Sequence, residues 1–223
     1  IMALRTGATS GVGFRYMART DARTAGVLGS GGQALHKILA LKCERDIRRV
    51  KIYSRSEDNR RKFAQRVEKL LGIEAAPVDS AQEAIHGVDV VICATNSNVP
   101  VFDGTWLEPG QHVVTVVGSN AALVDGGWLD SGRRENDDVT VERADFIVTN
   151  WRESVESERQ AGLMEPLQKG IITWDKPTNE DVGDFYFKIT VQDSKGRYDE
   201  QEIKITVLNV NDPPVIQASE FPS

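Results

Sequence analysis

The sequence predicts an α/β fold in which a parallel sheet is covered by helices on both faces, followed by a short C-terminal β segment. Three observations carry this expectation. Short apolar runs at Ala25–Leu28, Val50–Tyr53 and Val88–Cys93 alternate with stretches whose apolar residues recur at helical spacing, as successive right-handed βαβ units require. Val88-Asp89-Val90-Val91-Ile92-Cys93 is a nearly continuous apolar run, the mark of a strand covered on both sides. Beyond Trp174 the period changes to two, with Phe185, Phe187, Ile189 and Val191 alternating with Tyr186, Lys188, Thr190 and Gln192.

The first element expected is a helix over residues 2–19, weakened by Gly7, Gly11 and Gly13, each costing ~1 kcal/mol against alanine. Next comes the strand Ala25–Leu28, the turn Gly29-Ser30-Gly31-Gly32-Gln33-Ala34, and a helix carrying Ala34, Leu35, Ile38, Leu39 and Leu41. In this turn Gly29 permits the tight bend and Gly31 lets a pyrophosphate approach the backbone. Ala34, standing where a third glycine is usual, keeps helix and strand close. The free N–H groups of the first helical turn then face the phosphate, where the helix dipole favours negative charge. Taken alone, G-x-G-x-x-A fits an ordinary glycine-rich turn equally well.

The second strand, Val50–Tyr53, ends in Ser54-Arg55-Ser56, with Arg60 and Arg61 one turn later. Here a dinucleotide domain reads the adenosine ribose. A carboxylate at this place selects NAD(H), whereas hydroxyls and positive charge suit a 2′-phosphate, so the sequence favours NADP(H) over NAD(H). The competing reading is a solvated, charged helix start.

A helix from Glu57 to Leu71 places Phe63, Ala64, Val67, Leu70 and Leu71 on one face, and Gly72 stops it. A strand over Ile73–Val78 precedes Ser80-Ala81-Gln82-Glu83, a capping box that starts a brief helix. The fourth strand ends in Ala94-Thr95-Asn96-Ser97-Asn98. Ligands of open α/β sheets bind outside the carboxyl ends of strands, so Thr95 and Asn96 are expected to line the crevice. A fifth strand, His112–Val117, leads to Gly118-Ser119-Asn120, and a sixth is expected over Asp145–Asn150. Between them, Ala121–Val141 reads as a long surface loop of the kind that often has a function. The plan is a doubly wound, Rossmann-type sheet over residues 1–175, with a hairpin tail over 176–223 and a boundary near Asp175–Thr178.

Composition narrows the class. At 223 residues, 40% hydrophobic and 27% charged, the chain has the make-up of a globular protein with a sizeable core. Its net charge of −6 argues against a broad nucleic-acid surface. The tail holds nine acidic side chains against five basic ones and so carries most of that imbalance. No apolar run approaches the ~18–20 residues of a membrane helix, and IMALRTGATS lacks the features of a signal peptide. Cys43 and Cys93 fall in a helix and a core strand, which suits a reducing, cytoplasmic setting better than a disulfide framework. No zinc spacing, nucleophile elbow or P-loop occurs, so no metal site is expected. His36, His86 and His112 are scattered and read as packing or surface residues.

The chain resembles the ornithine cyclodeaminase/mu-crystallin family of NAD(P)-dependent proteins. The matching stretches are Ala3-Leu4-Arg5-Thr6, Val27–Ala34, Tyr53-Ser54-Arg55-Ser56, Cys93-Ala94-Thr95-Asn96 and Val117-Gly118-Ser119. To these are added Arg134-Glu135 with Asp137, Arg143-Ala144-Asp145 and Gly162-Leu163. The resemblance implies that Arg5 meets a substrate carboxylate, while Thr6 and the Gly29–Ala34 turn hold cofactor phosphates. Ser54, Arg55 and Ser56 look like the 2′-phosphate readers of the ketimine-reductase branch, and Thr95, Val117, Gly118 and Ser119 flank the nicotinamide. Asn120 stands where true cyclodeaminases have an aspartate that handles the substrate amino group. An asparagine cannot take up that proton, which turns the expectation from ornithine cyclisation to hydride transfer at a C–N bond. Family members also have an N-terminal substrate-binding region with a dimer interface, and this chain reads as a cofactor domain without it. The partners implied are a small amino acid or cyclic imine, and a second copy of the chain in the full architecture. A non-catalytic binding protein for NADPH and a small ligand, of the mu-crystallin type, is the alternative.

In the tail, Asp184–Val207 reads as a β-hairpin, and Leu208-Asn209-Val210-Asn211-Asp212-Pro213-Pro214 resembles the end of a cadherin-like repeat. That second resemblance implies calcium-bridged extracellular adhesion, yet one carboxylate and one amide fall short of a six-to-eight-oxygen site. The two resemblances point to different compartments, as a fused or truncated gene reading would produce.

Overall fold

The computed structural model describes residues 2–116, 121–149, 155, 159–170, 183–192, 198–207 and 215–216. The chain divides into two units, Ile1–Ile172 and Thr173–Ser223, each with its own hydrogen-bonded sheet.

The first unit runs α1 (Met2–Met17), β1 (Thr24–Leu28), α2 (Gly32–Glu44), β2 (Arg49–Tyr53), α3 (Glu57–Leu71), β3 (Glu74–Pro77), α4 (Ala81–Ile85), β4 (Val90–Cys93) and β5 (His112–Val114). After these come α5 (Ala121–Asp125), α6 (Asp138–Glu142) and α7 (Ala161–Gln168). The five strands are all parallel, in the order β3-β2-β1-β4-β5. The winding reverses between β1 and β4, so the crevice that a doubly wound sheet offers a ligand opens outside their carboxyl ends. In register, Leu28 stands beside both Tyr53 and Cys93, which brings the ends of β1, β2 and β4 level at that rim.

Alternation along the central strands feeds two cores. Val27, Val90 and Ile92 pack with Phe14, Ile38, Leu41, Phe63 and Val67 from α1, α2 and α3. Leu28, Val91 and Cys93 pack on the other side with Ala84 and Ile85 of α4 and with Phe102. Only glycine fits at Gly26, because a Cβ there would lie 2.1 Å from the Ala84 carbonyl oxygen; α4 rests directly on the β1 backbone. Ser56 and Ser80 cap α3 and α4 by accepting from the N–H groups of Asn59 and Glu83, and Gly72 ends α3 in the left-handed region at φ 63°.

The glycines that weaken α1 on propensity grounds serve its packing. A Cβ on Gly7 would meet the His36 carbonyl oxygen at 2.9 Å, and one on Gly11 would touch the Ala40 methyl at 3.5 Å. Arg15 pairs with Glu44 at 2.8 Å. The constant offset of these contacts shows α1 and α2 lying side by side in the same direction, so the first turns of α1 flank the start of α2. Arg5 and Thr6 lie inside α1, within the helix expected over residues 2–19; the Thr6 hydroxyl donates back to the Met2 carbonyl at 3.1 Å.

Two expectations are corrected. The sixth strand does not form over the described residues 145–149, where Phe146 and Val148 are 80% and 68% exposed. Their alternation is that of a strand, but an edge strand of only three half-buried residues, β5, gives them no layer to bury against. The stretch expected as an irregular loop contains α5, and next to α6 it buries Glu135 and Asn136.

In the second unit, β6 (Gly183–Gln192) and β7 (Tyr198–Val207) pair antiparallel, Gly183 opposite Val207 through Gln192 opposite Tyr198, as the expected hairpin; β8 (Val215–Ile216) adds a short third strand to β7. The residues behind the calcium expectation, Asn209–Pro214, lie outside the described residues.

Candidate functional site

The glycine turn closes the gap between β1 and α2. Gly29 takes φ +113°, and a Cβ on it would sit 2.3 Å from the Ala94 carbonyl oxygen, so the turn depends on glycine both for its backbone and for close approach to the end of β4. The Gly29 N–H donates to the Tyr53 carbonyl and the Ala94 N–H to the Leu28 carbonyl, both at 2.8 Å, which fastens the turn across the ends of β2, β1 and β4. Gly31 is the N-cap of α2 with extended backbone and no side-chain cap. Nothing lies within 4 Å of where a Cβ would stand on Gly31 or Gly32. An uncapped helix start facing open space, behind a turn too tight for side chains, fits the pyrophosphate of a dinucleotide. Ser30 belongs to the same turn, Gln33 lies in the first turn of α2, and Ala34 is fully buried, as a close helix–strand contact demands.

At the end of β2 the Ser54 hydroxyl donates to the Ser56 carbonyl at 3.1 Å, while Ser56 caps α3. Arg55 between them is exposed and makes no hydrogen bond or ion pair among the described residues. Arg60 departs from the expectation of a phosphate reader. Its guanidinium donates to the Ser54 carbonyl at 3.3 Å and to Asp79 at 2.5 Å, and the residue is only 8% exposed. Position 60 lies on the same inward stripe of α3 as Phe63, Ala64 and Val67, so the side chain braces the β2 turn from beneath.

The ends of β4 and β5 are joined by Lys37, which the sequence did not single out, and by Glu135, which figured there only in a matching stretch and without a role. The Glu135 carboxylate accepts from the Thr95 N–H at 2.6 Å, the Thr95 hydroxyl at 2.7 Å and the Val116 N–H at 2.7 Å. Lys37, fully buried on α2, donates to the carbonyls of Cys93 and Thr115, both at 3.3 Å. Burial pulls the Lys37 ammonium down to about 8, and the Glu135 charge opposes that pull. Burial likewise holds the Cys93 thiol neutral, well above its usual range, with Glu135 adding to the effect. Thr95 is half-buried beside Gly29, and Asn96 is exposed just beyond it. Val117, Gly118, Ser119 and Asn120 lie outside the described residues. Thr6 and the exposed Arg5 lie near the start of α2 through the parallel packing of the two helices.

Elsewhere the first unit offers little chemistry. A cavity of about 200 Å³ lies at the opposite, amino-terminal rim, lined in part by Arg19, Asp89, Glu108 and Gln111. Its polar walls are already bonded: Asp89 accepts from the Arg23 and Thr24 N–H groups, and Gln111 donates to the Ile85 and Val88 carbonyls. Among the described residues no cluster of His, Cys, Asp or Glu is arranged to hold a metal ion, and no helix is long and apolar enough to cross a membrane.

A parallel sheet wound in this order, with an open glycine turn at the point where the winding reverses, defines a Rossmann-type dinucleotide-binding domain. The model of the ornithine cyclodeaminase/mu-crystallin family matches residues 1–158, and the chain belongs to that family. Delta(1)-pyrroline-2-carboxylate reductase of Bacillus cereus is 37% identical over 113 residues, 51% of this chain and 34% of that protein. Among solved structures, Thermococcus litoralis Delta(1)-pyrroline-2-carboxylate reductase in complex with NADH and L-proline superposes with a TM-score of 0.68 at 34% identity, covering 77% of this chain and 49% of that one. An archaeal alanine dehydrogenase dimer with bound NAD gives 0.61 at 29%, covering 76% and 48%. The chain thus spans about a third of the curated relative and half of each solved one.

Proposed function

We propose that residues 1–175 form the cofactor-binding part of an oxidoreductase that moves a hydride to or from the C–N bond of a small amino acid or cyclic imine, using NADP(H) in preference to NAD(H). The observation that carries this reading is the open, uncapped start of α2 at Gly31 and Gly32, just after Gly29, which lies against Thr95 at the reversal of the sheet. The turn and Thr6 hold the pyrophosphate, Ser54, Arg55 and Ser56 the 2′-phosphate, and Thr95, Asn96, Val117, Gly118 and Ser119 the nicotinamide half. When bound, the reduced dinucleotide supplies the hydride. Arg5 meets the substrate carboxylate, and Asn120, which cannot accept a proton from an amino group, favours simple hydride transfer over cyclodeamination. The preference for a 2′-phosphate is supported by the unpartnered Arg55 and by the absence of a carboxylate in Ser54-Arg55-Ser56. The family's full architecture implies a homodimer and a substrate-binding region, and residues 176–223 are a separate tail.

Titration of the full chain with NADPH and NADH, followed by intrinsic and nicotinamide fluorescence, tests the reading. The Arg55→Asp variant is expected to lose NADPH affinity by at least tenfold, on the order of 1.4 kcal/mol or more, with NADH affinity little changed. Equal loss of both nucleotides would remove the 2′-phosphate assignment. Oxidation of NADPH upon addition of a cyclic ketimine then separates an enzyme from a protein that only binds.

A further inference from the structure

β4 and β5 pair over three residues only, Val90 opposite His112 through Ile92 opposite Val114. Past that point the strands part: the Ala94 N–H stays with β1, while the next carbonyls and N–H groups of both strands lose each other as partners. Where such a group is shielded from water, as the Cys93 carbonyl is, leaving it alone costs roughly 1–3 kcal/mol. Two side chains of opposite charge fill the split. The ammonium of Lys37 takes one carbonyl from each strand, Cys93 and Thr115, and the carboxylate of Glu135 takes one N–H from each, Thr95 and Val116, plus the Thr95 hydroxyl.

Each of the two comes from an element that is itself anchored. Lys37 lies on α2, one turn and a half beyond the open glycines of the phosphate turn. Glu135 sits in a short segment pinned on both sides. Its own carbonyl accepts from the Val101 N–H at 2.9 Å, Arg134 bonds the Asn136 carbonyl and Asp138, and Asp137 caps α6 and accepts from the Gly104 N–H at 2.9 Å. For stability alone, apolar residues of similar volume would serve as well or better than buried charges. What charges add is direction, since each fixes two strand ends at hydrogen-bonding distance from one point.

We propose that Lys37 and Glu135 are positioning residues for the nicotinamide half of the bound dinucleotide, holding the separated ends of β4 and β5 at a fixed place relative to the phosphate turn. The proposal rests on the dinucleotide reading above. The adenosine half is met by the Gly29–Gly32 turn and the end of β2, to neither of which the Lys37 and Glu135 side chains hydrogen-bond; the nicotinamide half faces the ends that the pair joins. Loss of the pair therefore acts on one half of the ligand only.

The test compares the full chain with the Lys37→Met/Glu135→Gln double variant, in which no lone charge is left buried, using two probes: NADPH and its fragment 2′-phospho-ADP-ribose. The expected result is that NADPH affinity falls about tenfold while fragment affinity stays within about twofold. The emission of the remaining bound NADPH shifts toward that of the free nucleotide. Amide exchange in the ligand-free variant quickens at Thr95 and Val116 while Val91 and Ile92 stay protected. Should the double variant fail to fold, Glu135→Gln, which keeps an acceptor oxygen and the side chain's shape, carries the same comparison. Equal loss of both probes, or loss of neither, overturns the inference and leaves the dinucleotide reading intact. If the unsubstituted chain binds neither probe, the dinucleotide reading itself fails and this inference with it.

Discussion

A Cβ at position 29 would meet the Ala94 carbonyl oxygen at 2.3 Å on a backbone held at φ +113°, whereas at position 31 it would meet open space on extended backbone. Two glycines of one motif therefore answer to different demands. Gly29→Ala is expected to destabilise the first unit by about 2–4 kcal/mol, through left-handed strain plus overlap with β4, read as a lower urea midpoint. Gly31→Ala is expected to leave stability within about 1 kcal/mol, the cost of a poorer N-cap, while cutting dinucleotide affinity at least tenfold, because the methyl would occupy the place proposed for the pyrophosphate. If Gly31→Ala binds NADPH as the unsubstituted chain does, the phosphate lies elsewhere. At this scale the sequence was legible wherever a residue type is unusual for its place, as glycines at a strand end are. It was not legible where a charged residue is buried. Lys37 stands three residues after Ala34 and four before Leu41, on the inward stripe of α2, and Arg60 occupies the same stripe on α3. Their spacing was the available signal, and a charged side chain is ordinarily assigned to solvent. Glu135 entered only as part of the matching stretch Arg134-Glu135, with no role attached, being one acidic residue in an acidic stretch without apolar periodicity.

Helix α1 and strand β5 meet at His112, whose ring lies edge-on to Phe14 with centroids 5.7 Å apart and planes at 72°. Its Nε2 is buried without a hydrogen-bond partner, and burial together with the nearby Arg45 guanidinium lowers its pKa from 6.5 to about 4. The native state therefore favours the neutral ring. Above pH 6.5 neither state is protonated there and the group is without effect. Between pH 6.5 and about 4 the unfolded chain binds a proton that the folded one refuses, and stability falls by up to about 3 kcal/mol. His112→Phe keeps the aromatic contact and removes the titration. Its urea unfolding free energy is expected to decline less on acidification across this window than that of the unsubstituted chain, leaving only the loss toward pH 4 from carboxylates such as Asp89 and Asp137 that are held below their usual range; parallel curves would show that His112 does not titrate with folding. Elements of this kind were read from the sequence when their apolar residues had a layer to face. Strands β1 and β4 are buried along nearly their whole length, while β2 and β3 alternate, with Val50, Ile52 and Ala75 turned to the core. The expected sixth, with Phe146 and Val148 in strand alternation, had the pattern without the layer. The helix α1 was recognised in spite of Gly7 and Gly11, which propensity counts against it and packing on α2 requires.

At the scale of the whole molecule, every buried residue of the two apolar cores described lies between positions 14 and 102, and the strands around the crevice belong to the sheet β3-β2-β1-β4-β5. The antiparallel sheet β6-β7-β8 is made wholly from the second unit, Thr173–Ser223. In the sequence the alternation of strand and helix patterns gives way near residue 175 to a period of two, which is where a boundary is expected. If residues 1–175 hold the dinucleotide with contacts of their own, a chain ended after Ile172 keeps them all. It is expected to melt within about 2 °C of the full chain's first-unit transition and to bind NADPH within about twofold of it, by calorimetry and fluorescence titration. Failure of the shortened chain to fold would show that the parallel sheet needs the tail. Normal folding with lost NADPH affinity would place part of the nucleotide site beyond residue 172 and end the proposal of a self-sufficient cofactor domain.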